Sequence, residues 1–382
     1  MSSQARELQP GSDALRELFP VTERYAYLDH AAASPLNRRT AGAVRQWISD
    51  WEAEGTQAVF SEDVLSDYRV RAARLIGARP DEVAFTRNTS DGLLLVALGL
   101  PWEPGDVLVT AETEFTANVY PWQTLLDQGV EIRRVPAREG RIHVDDVAAV
   151  MDERTRLLAL SFVEFFTGFR NRLSELGQLC RERDVRFCVD GIQGAGALPI
   201  DVGEMGIDFL SAGAAKWLLG PIGAGVFYCR RELIDELDPK TYGWLSTVDP
   251  DDHFDYHLPL SDTASRFEAG TLSWPSLVGL MESVGLLHDV GIEAIEDHVL
   301  SLTDGLITSL VDRGYELITP IGTRAERSGI VTFRHPEHPA ADLYEHLLNE
   351  SVVISQRGDA IRVSPHLYNT WDDVEQLLDA LP

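Results

Sequence analysis

Apolar and polar positions switch between two periods along most of this chain, which predicts strands alternating with helices. Short apolar runs bounded by turn residues are typical of buried strands. They cover residues 82–86, 107–110, 131–135, 157–162, 185–189 and 207–211. A period near 3.6 predicts helices at residues 13–19, twice within 36–80, from about 89 to 100, after 122, at 144–151 and at 173–183. This alternation indicates an α/β fold with a mostly parallel sheet and a ligand site at the carboxyl ends of its strands.

The pattern changes in the last third of the chain. Helical spacing covers residues 276–288 and 292–311, strands are predicted at 330–333, at 352–354 and from 360, and a last helix is predicted at 372–381. Residues 230–260 are expected to hold one helix and an irregular acidic stretch. We therefore expect a polar lead-in over residues 1–20, a large domain over 21–260 and a smaller α+β domain over 261–382.

Charge and composition narrow the classes of partner. The chain has 382 residues and a formal net charge of −28, which disfavours binding to nucleic acid or to an anionic membrane surface. No apolar run reaches the ~18 residues of a membrane span, and the N-terminus has no apolar signal core. The three cysteines, Cys180, Cys188 and Cys229, have no metal-binding spacing. We expect a cytoplasmic protein without a metal site or membrane partner.

The candidate chemistry lies between residues 185 and 225. A buried strand places Asp190 at its carboxyl end, and a second strand leads to Lys216 within a glycine-rich stretch. Lys216 and Lys240 are the only lysines in the sequence, and a lysine, unlike an arginine, can lose its proton. Pyridoxal 5'-phosphate (PLP) requires a lysine for its Schiff base and an acid that keeps the pyridine nitrogen protonated. Asp190 and Lys216 are therefore the candidate catalytic pair.

These residues also carry a family resemblance. Asp190-x-x-Gln193 followed by DFLSAGAAKWLLGPIGAG resembles the class V aminotransferase group of fold type I PLP enzymes, which includes cysteine desulfurases and isopenicillin N epimerase-like proteins. The resemblance covers nearly the whole chain. It implies a fold type I transferase with PLP as cofactor, Gln193 beside that cofactor, a small amino acid as substrate, and a homodimer with shared active sites.

The resemblance also implies where the cofactor binds. Thr89 and Ser90, in FTRNTSDG, match the turn that holds the PLP phosphate, although the residues alone fit a plain helix N-cap equally well. Phe115 matches the ring that stacks on the pyridine. Gly270 and Thr271, in RFEAGT, match a segment that reaches the phosphate of the neighbouring subunit.

Two further residues are expected at the substrate. His30 lies in YLDHAAASP, a segment that the resemblance places over the substrate side of the cofactor, although a lone histidine is more often a packed residue. Arg362, in AIRVSPHLYNT, matches the arginine that binds the substrate carboxylate, for which a guanidinium is well suited.

The chain departs from the desulfurase pattern at several positions. Phe165 stands where desulfurases carry a polar residue, and Gly213 and Ala215 stand where they carry serine and histidine. Residues 349–362 contain no cysteine that could accept sulfur. We therefore expect β-elimination or C–S lysis through an external aldimine without a catalytic cysteine, with transamination or epimerisation as alternatives.

Two other classes of protein remain open on the sequence. A dinucleotide-binding oxidoreductase would explain a strand followed by glycines, but Gly191, Gly194 and Gly196 read G-x-x-G-x-G rather than G-x-G-x-x-G. A non-catalytic protein that binds PLP on the same scaffold, or that regulates a partner, would keep the motifs without turnover.

Overall fold

The computed structural model describes residues 8–57 and 62–382. Residues 1–7 of the expected lead-in lie outside the described residues. The strands are β1 (Ala26–Tyr27), β2 (Val83–Thr86), β3 (Val107–Ala111), β4 (Glu131–Val135), β5 (Thr155–Ser161), β6 (Arg186–Asp190), β7 (Phe209–Gly213), β8 (Gly225–Cys229), β9 (Glu316–Leu317), β10 (Val331–Arg334), β11 (Val352–Val353), β12 (Ser355–Arg357) and β13 (Ala360–Val363). The helices are α1 (Asp13–Arg16), α2 (Arg38–Glu54), α3 (Glu62–Ile76), α4 (Thr89–Gly99), α5 (Tyr120–Gln123), α6 (Val144–Val150), α7 (Leu173–Glu182), α8 (Trp274–Val290), α9 (Ile292–Asp312), α10 (Ala340–Asn349) and α11 (Trp371–Ala380).

A seven-stranded sheet forms the centre of the larger layer, in the order β2-β8-β7-β6-β5-β3-β4. Its pairs are parallel except for those that involve β8, which runs antiparallel between β2 and β7. Every residue of β3 and β7 is buried, as expected for strands covered on both faces. The predicted mostly parallel α/β sheet is confirmed.

A second, antiparallel sheet of four strands, in the order β12-β13-β10-β9, has its own apolar core. Phe333, Ile361 and Val374 pack there with side chains of α9 and α10. The short strand β1 pairs in parallel with β11, and Ala26 and Leu28 join the same core. The N-terminal segment thus connects the two layers of the molecule.

Some predicted elements differ from the structure. Residues 230–260 contain no α-helix, and their helical turns are the 3-10 turns at Arg231–Leu233 and Trp244–Ser246. The helix expected at residues 13–19 is the single turn α1, and the one expected after residue 122 is the single turn α5. Strand β8 and helix α10 were not predicted.

Close packing of α4 against β7 brings the start of that helix to the edge of the sheet. Gly92 allows this approach, since a Cβ atom there would lie 2.3 Å from the Ser211 hydroxyl. Two hydrogen bonds fix the contact: the Ser211 hydroxyl donates to the Thr89 carbonyl, and the Gly213 amide donates to the Thr89 hydroxyl. The first turn of α4 therefore faces the carboxyl end of β7.

Candidate active site

A cavity of about 440 Å³ lies at the carboxyl ends of the central strands. Most of the predicted site residues line it. They are Thr89, Ser90, Phe115, Gln193, Lys216 and Arg362. A neighbouring cavity of about 640 Å³ is lined by Gly270 and Thr271 and shares Arg87, Gly223 and Ala224 with the first. The structure thus brings six predicted residues together in one cavity and places Gly270 and Thr271 in the adjoining one.

Lys216 lies in a tight turn shortly after β7. Its carbonyl oxygen accepts hydrogen bonds from the Ser34 hydroxyl and the Leu219 amide, which fixes the backbone while the amine points to the cavity wall. The ammonium nitrogen lies 5.4 Å from the centre of the Phe115 ring. Burial lowers the pKa of Lys216 to about 8, and the charge of Arg362 adds to this effect while that of Asp190 opposes it. A lysine of this kind is partly neutral near physiological pH.

Asp190 ends β6 and is 1% exposed. One carboxylate oxygen, Oδ1, accepts a hydrogen bond from the Ile192 amide at 3.0 Å, and Oδ2 has no partner among the described residues. Burial raises the pKa of Asp190 to about 6, while the hydrogen bond from the Ile192 amide and the charge of Lys216 act to lower it. A buried oxygen without a donor fits a protonated ring nitrogen.

The start of α4 provides a site for an anion. The Asn88 side chain caps this helix by accepting a hydrogen bond from the Asp91 amide at 3.0 Å. Thr89 and Ser90 form the first turn and border the cavity. Unpaired amides in the first turn and the helix dipole both favour a negatively charged group there.

Arg362 is the buried cation of the cavity. Its side chain, on β13, is 1% exposed and donates from Nη1 to the Phe165 carbonyl at 2.8 Å. Nε and Nη2 have no hydrogen-bond partner in the described structure, and Nη2 lies 3.8 Å from Asp29 Oδ1. Burial lowers the pKa of Arg362 to about 10; the charge of Arg357 adds to this effect and that of Asp29 opposes it. Unpaired buried donors on a guanidinium suit a carboxylate ligand.

His30 does not line the cavity, although the two residues that follow it, Ala31 and Ala32, do. The ring is fully buried and donates from Nδ1 to the Ser364 carbonyl at 2.9 Å. It packs edge-on against Tyr27, His366 and Tyr368. Burial lowers the pKa of His30 well below its ordinary value, so the ring is neutral. His30 is a packed core histidine.

Gln193 lines the cavity, but its amide is already used within the protein. Nε2 donates to the Ala31 carbonyl at 3.1 Å, and Oε1 accepts from Trp217 Nε1 at 2.8 Å. One hydrogen on Nε2 remains for another acceptor. Gln193 therefore joins the segment around Ala31 to the turn that carries Lys216.

Two cavity residues outside the predicted set, Phe165 and Arg357, carry a ring or a charge, and Asp29 lies beside the cavity residue Arg362. Phe165 packs edge-on against Phe115, with ring centres 5.2 Å apart, and adds to the aromatic wall. Asp29 accepts a hydrogen bond from the Ser355 hydroxyl at 2.5 Å beside Arg362, and burial raises its pKa. Arg357 lines the cavity near both. The segment YLDHAA drew attention to His30, although its neighbour Asp29 is the residue near the site.

Residues 8–57 and 62–382 contain neither a metal-binding cluster nor a membrane-spanning helix. No group of three His, Cys, Asp or Glu side chains in these ranges could hold a metal ion. No helix within the same ranges is long and apolar enough to cross a membrane.

The arrangement defines a class of protein, the PLP-dependent enzymes of fold type I: a lysine and a buried acid meet at the carboxyl edge of a mostly parallel sheet. The family model described as Aminotransferase class-V matches residues 26–377. The chain therefore belongs to the class V aminotransferase family.

Similar proteins cover the whole length of the chain. A probable cysteine desulfurase of Methanothermobacter thermautotrophicus is 28% identical over 97% of each chain. The uncharacterized aminotransferase YcbU of Bacillus subtilis is 28% identical over 96% of each. Among solved structures, the apo cysteine desulfurase of Thermococcus onnurineus NA1 superposes with a TM-score of 0.88 at 26% identity, covering 95% of each chain.

Proposed function

We propose that the protein is a PLP-dependent lyase that removes a leaving group from the β-carbon of a small amino acid. Cleavage of a C–S bond is the favoured reaction, and no cysteine side chain of the protein takes part in it. The sequence similarity to proteins named cysteine desulfurases supports a sulfur-containing substrate. In such an elimination the substrate takes up water and yields a keto acid, ammonium and the protonated leaving group. Transamination or epimerisation is the alternative, and the relative named as an aminotransferase supports keeping it.

The positions of the cysteines carry this proposal. A desulfurase that forms a protein persulfide needs an accessible thiolate near the substrate. Cys180, Cys188 and Cys229 are 1%, 1% and 0% exposed, and none lines the cavity. Burial raises the pKa of each thiol, so all three are held as protonated core side chains. These positions support a mechanism without a protein persulfide.

The cavity residues fit the cofactor. PLP, when bound, supplies an electron sink for negative charge that develops at the substrate α-carbon. We assign Lys216 as the residue that would hold PLP and as the base that would move the substrate α-proton. Asp190 accepts the pyridine N–H through its free Oδ2. A lysine that releases its proton near pH 8 is matched to this work.

The remaining cavity residues hold and orient the cofactor. Thr89 and Ser90 bind the phosphate at the start of α4, where unpaired amides favour an anion. Phe115 would stack on the pyridine ring, and Gln193 would offer the hydrogen left on its amide, because both residues line the cavity. These assignments share one support, which is that all four side chains border the same cavity as Lys216.

The substrate carboxylate binds Arg362. The free Nε and Nη2 donors form a fork that matches two carboxylate oxygens, and the hydrogen bond to the Phe165 carbonyl holds the guanidinium in place. Asp29 lies beside the same group. The substrate is thereby oriented with its carboxylate at β13 and its amine towards Lys216.

A homodimer with shared sites completes the proposal. Gly270 and Thr271 border the neighbouring cavity, which adjoins the Lys216 cavity at Arg87, Gly223 and Ala224. A partner subunit seated there would place its own residues beside the start of α4. Free cysteines and an acidic chain support a cytoplasmic location.

The test is a product analysis with cysteine, cystine and other small amino acids. Purified protein with PLP should release a keto acid, ammonium and the sulfur product in equal amounts, and Cys180→Ala, Cys188→Ala and Cys229→Ala should retain this activity. Alanine as the carbon product would contradict elimination. Loss of sulfur release in one cysteine variant that keeps its visible absorbance would show that a protein thiol takes part.

A further inference from the structure

Three buried acids stand side by side behind the candidate active site. Glu114 follows β3, Glu164 follows β5 and Asp190 ends β6, and these three strands are neighbours in the sheet. Their side chains are 7%, 2% and 1% exposed. The sheet register pairs Ser161 with Asp190, and Ser161 is also the residue that contacts Glu114. We call Glu114, Glu164 and Asp190 the acid cluster.

The two glutamates have only neutral partners. Glu114 accepts hydrogen bonds from the amide and the hydroxyl of Ser161, at 2.7 and 2.5 Å. Glu164 accepts from the Thr113 hydroxyl at 2.7 Å and from Asn171 Nδ2 at 2.9 Å. Within the described ranges neither glutamate forms an ion pair with an arginine, lysine or histidine.

Glu268 shows what a buried charged glutamate looks like in the same protein. Its side chain is 2% exposed, and Arg69 donates to both of its carboxylate oxygens, at 2.6 and 2.8 Å. Glu164 is as deeply buried without such a cation. An ionised carboxylate in a dry interior without a cation is costly, and a second negative charge beside it adds to the cost.

Burial and the charge of Asp190 both favour the neutral, protonated form of Glu164. Burial is the main cause that raises the pKa of Glu164, the charge of Asp190 adds to it, and the hydrogen bonds from Thr113 and Asn171 oppose it. Burial and Glu164 together raise the pKa of Glu114. Asn171, whose Nδ2 donates to Glu164, has a buried side-chain oxygen, Oδ1, that accepts no hydrogen bond from the described residues. An ionised Glu164 has no proton to donate to this oxygen, whereas a protonated one has.

We propose that Glu164 keeps its proton in the folded protein and so adds no negative charge beside Asp190 at the active site. An ionised Glu164 would drive Asp190 to take up a proton, and a protonated Asp190 could not stabilise a protonated ring nitrogen. Glu164 is thus a positioning residue that acts through Asp190. Its effect on the cofactor rests on the proposed function, whereas its protonation state does not.

The experiment compares Glu164→Gln with wild type in urea unfolding between about pH 5 and about pH 8. A glutamine reproduces one acceptor and one donor of a protonated carboxyl. The folded wild type binds a proton that the unfolded chain releases above about pH 4.3, so its stability falls as pH rises, and the glutamine variant lacks this fall. The urea concentration at the unfolding midpoint of Glu164→Gln should therefore increase relative to that of wild type as pH rises. Glu268→Gln, the matched control, should lose stability across the same range because it breaks the pair with Arg69.

A second measurement reads the proton directly. The infrared spectrum of the wild-type protein at neutral pH should contain a carboxylic-acid C=O absorption that loses intensity in Glu164→Gln and keeps it in Glu268→Gln. An unchanged band, a stability loss in Glu164→Gln that is the same at every pH, or a Glu164→Gln protein that does not fold while Glu268→Gln does, would each overturn the proposal. Neither readout involves turnover, so a failure of the PLP assignment would leave both results unchanged.

Discussion

Replacing Arg362 with lysine isolates the part of substrate binding that depends on the shape of the guanidinium. Arg362→Lys keeps a positive charge beside Asp29, so that Asp29 is not left without a cation. It removes the fork formed by Nε and Nη2, the two buried donors without partners. The substrate carboxylate then loses one of its two charged hydrogen bonds.

The expected loss follows from the hydrogen bond that disappears. A hydrogen bond to a charged group contributes about 1.5–3 kcal/mol. One such bond corresponds to a reduction of about 10- to 150-fold in kcat/KM, since each 1.36 kcal/mol is a factor of ten. The cofactor contacts are untouched, so the visible absorbance of the protein should not change.

Cysteine and cysteamine separate this effect from general damage, because cysteamine is cysteine without its carboxylate. Arg362→Lys should reduce kcat/KM for cysteine and leave the rate of the cofactor's absorbance change with cysteamine as in wild type. Arg334→Lys, a partly exposed position on the neighbouring strand β10, serves as the control and should behave as wild type with both. An equal loss with both compounds would refute carboxylate binding by Arg362.

Other parts of the site give further expected outcomes. Asp190→Asn should retain PLP but lose turnover by about 10²-fold or more, because its amide cannot hold a protonated ring nitrogen; wild-type turnover in this variant would contradict the pairing. In cofactor-free protein, the rate at which Lys216 captures PLP, measured by absorbance, should rise as pH passes through about 8. A rise that begins only near the ordinary lysine pKa of ~10.4 would contradict the effect of burial on this pKa. Mixing Lys216→Ala subunits with Thr271→Ala subunits should restore a fraction of the activity if Thr271 serves the partner's site, and a fully active monomer in sedimentation would exclude shared sites.

The residues that the sequence could place are those whose environment is local. Lys216 and Asp190 each follow a short apolar run, and a buried strand fixes where its last residue lies. The start of α4 is also a local signal, since Asn88 caps the helix from within the same turn. These positions follow from strand and helix patterns alone.

The residues whose surroundings the sequence could not show depend on distant partners. The ring of His30 is held by the Ser364 carbonyl, 334 positions away in the chain, so its burial could not be seen from its own segment. Strand β8 follows a glycine-rich stretch that suggests a break, and it forms because β2 and β7 supply its two neighbours. Asp29 gains its place at the site only when β13 brings Arg362 beside it.

Identification of the lysine that carries the cofactor tests the account most directly. The chain has two lysines, Lys216 and Lys240, so reduction of the purified protein with borohydride, digestion and mass spectrometry gives a clear assignment. Lys240 is exposed and paired with Asp238 at 2.6 Å, whereas Lys216 borders the cavity. We predict the reduced cofactor on the peptide that contains Lys216 and none on the peptide that contains Lys240. Cofactor on Lys240, or on neither lysine in a protein that is active with PLP, would contradict the account.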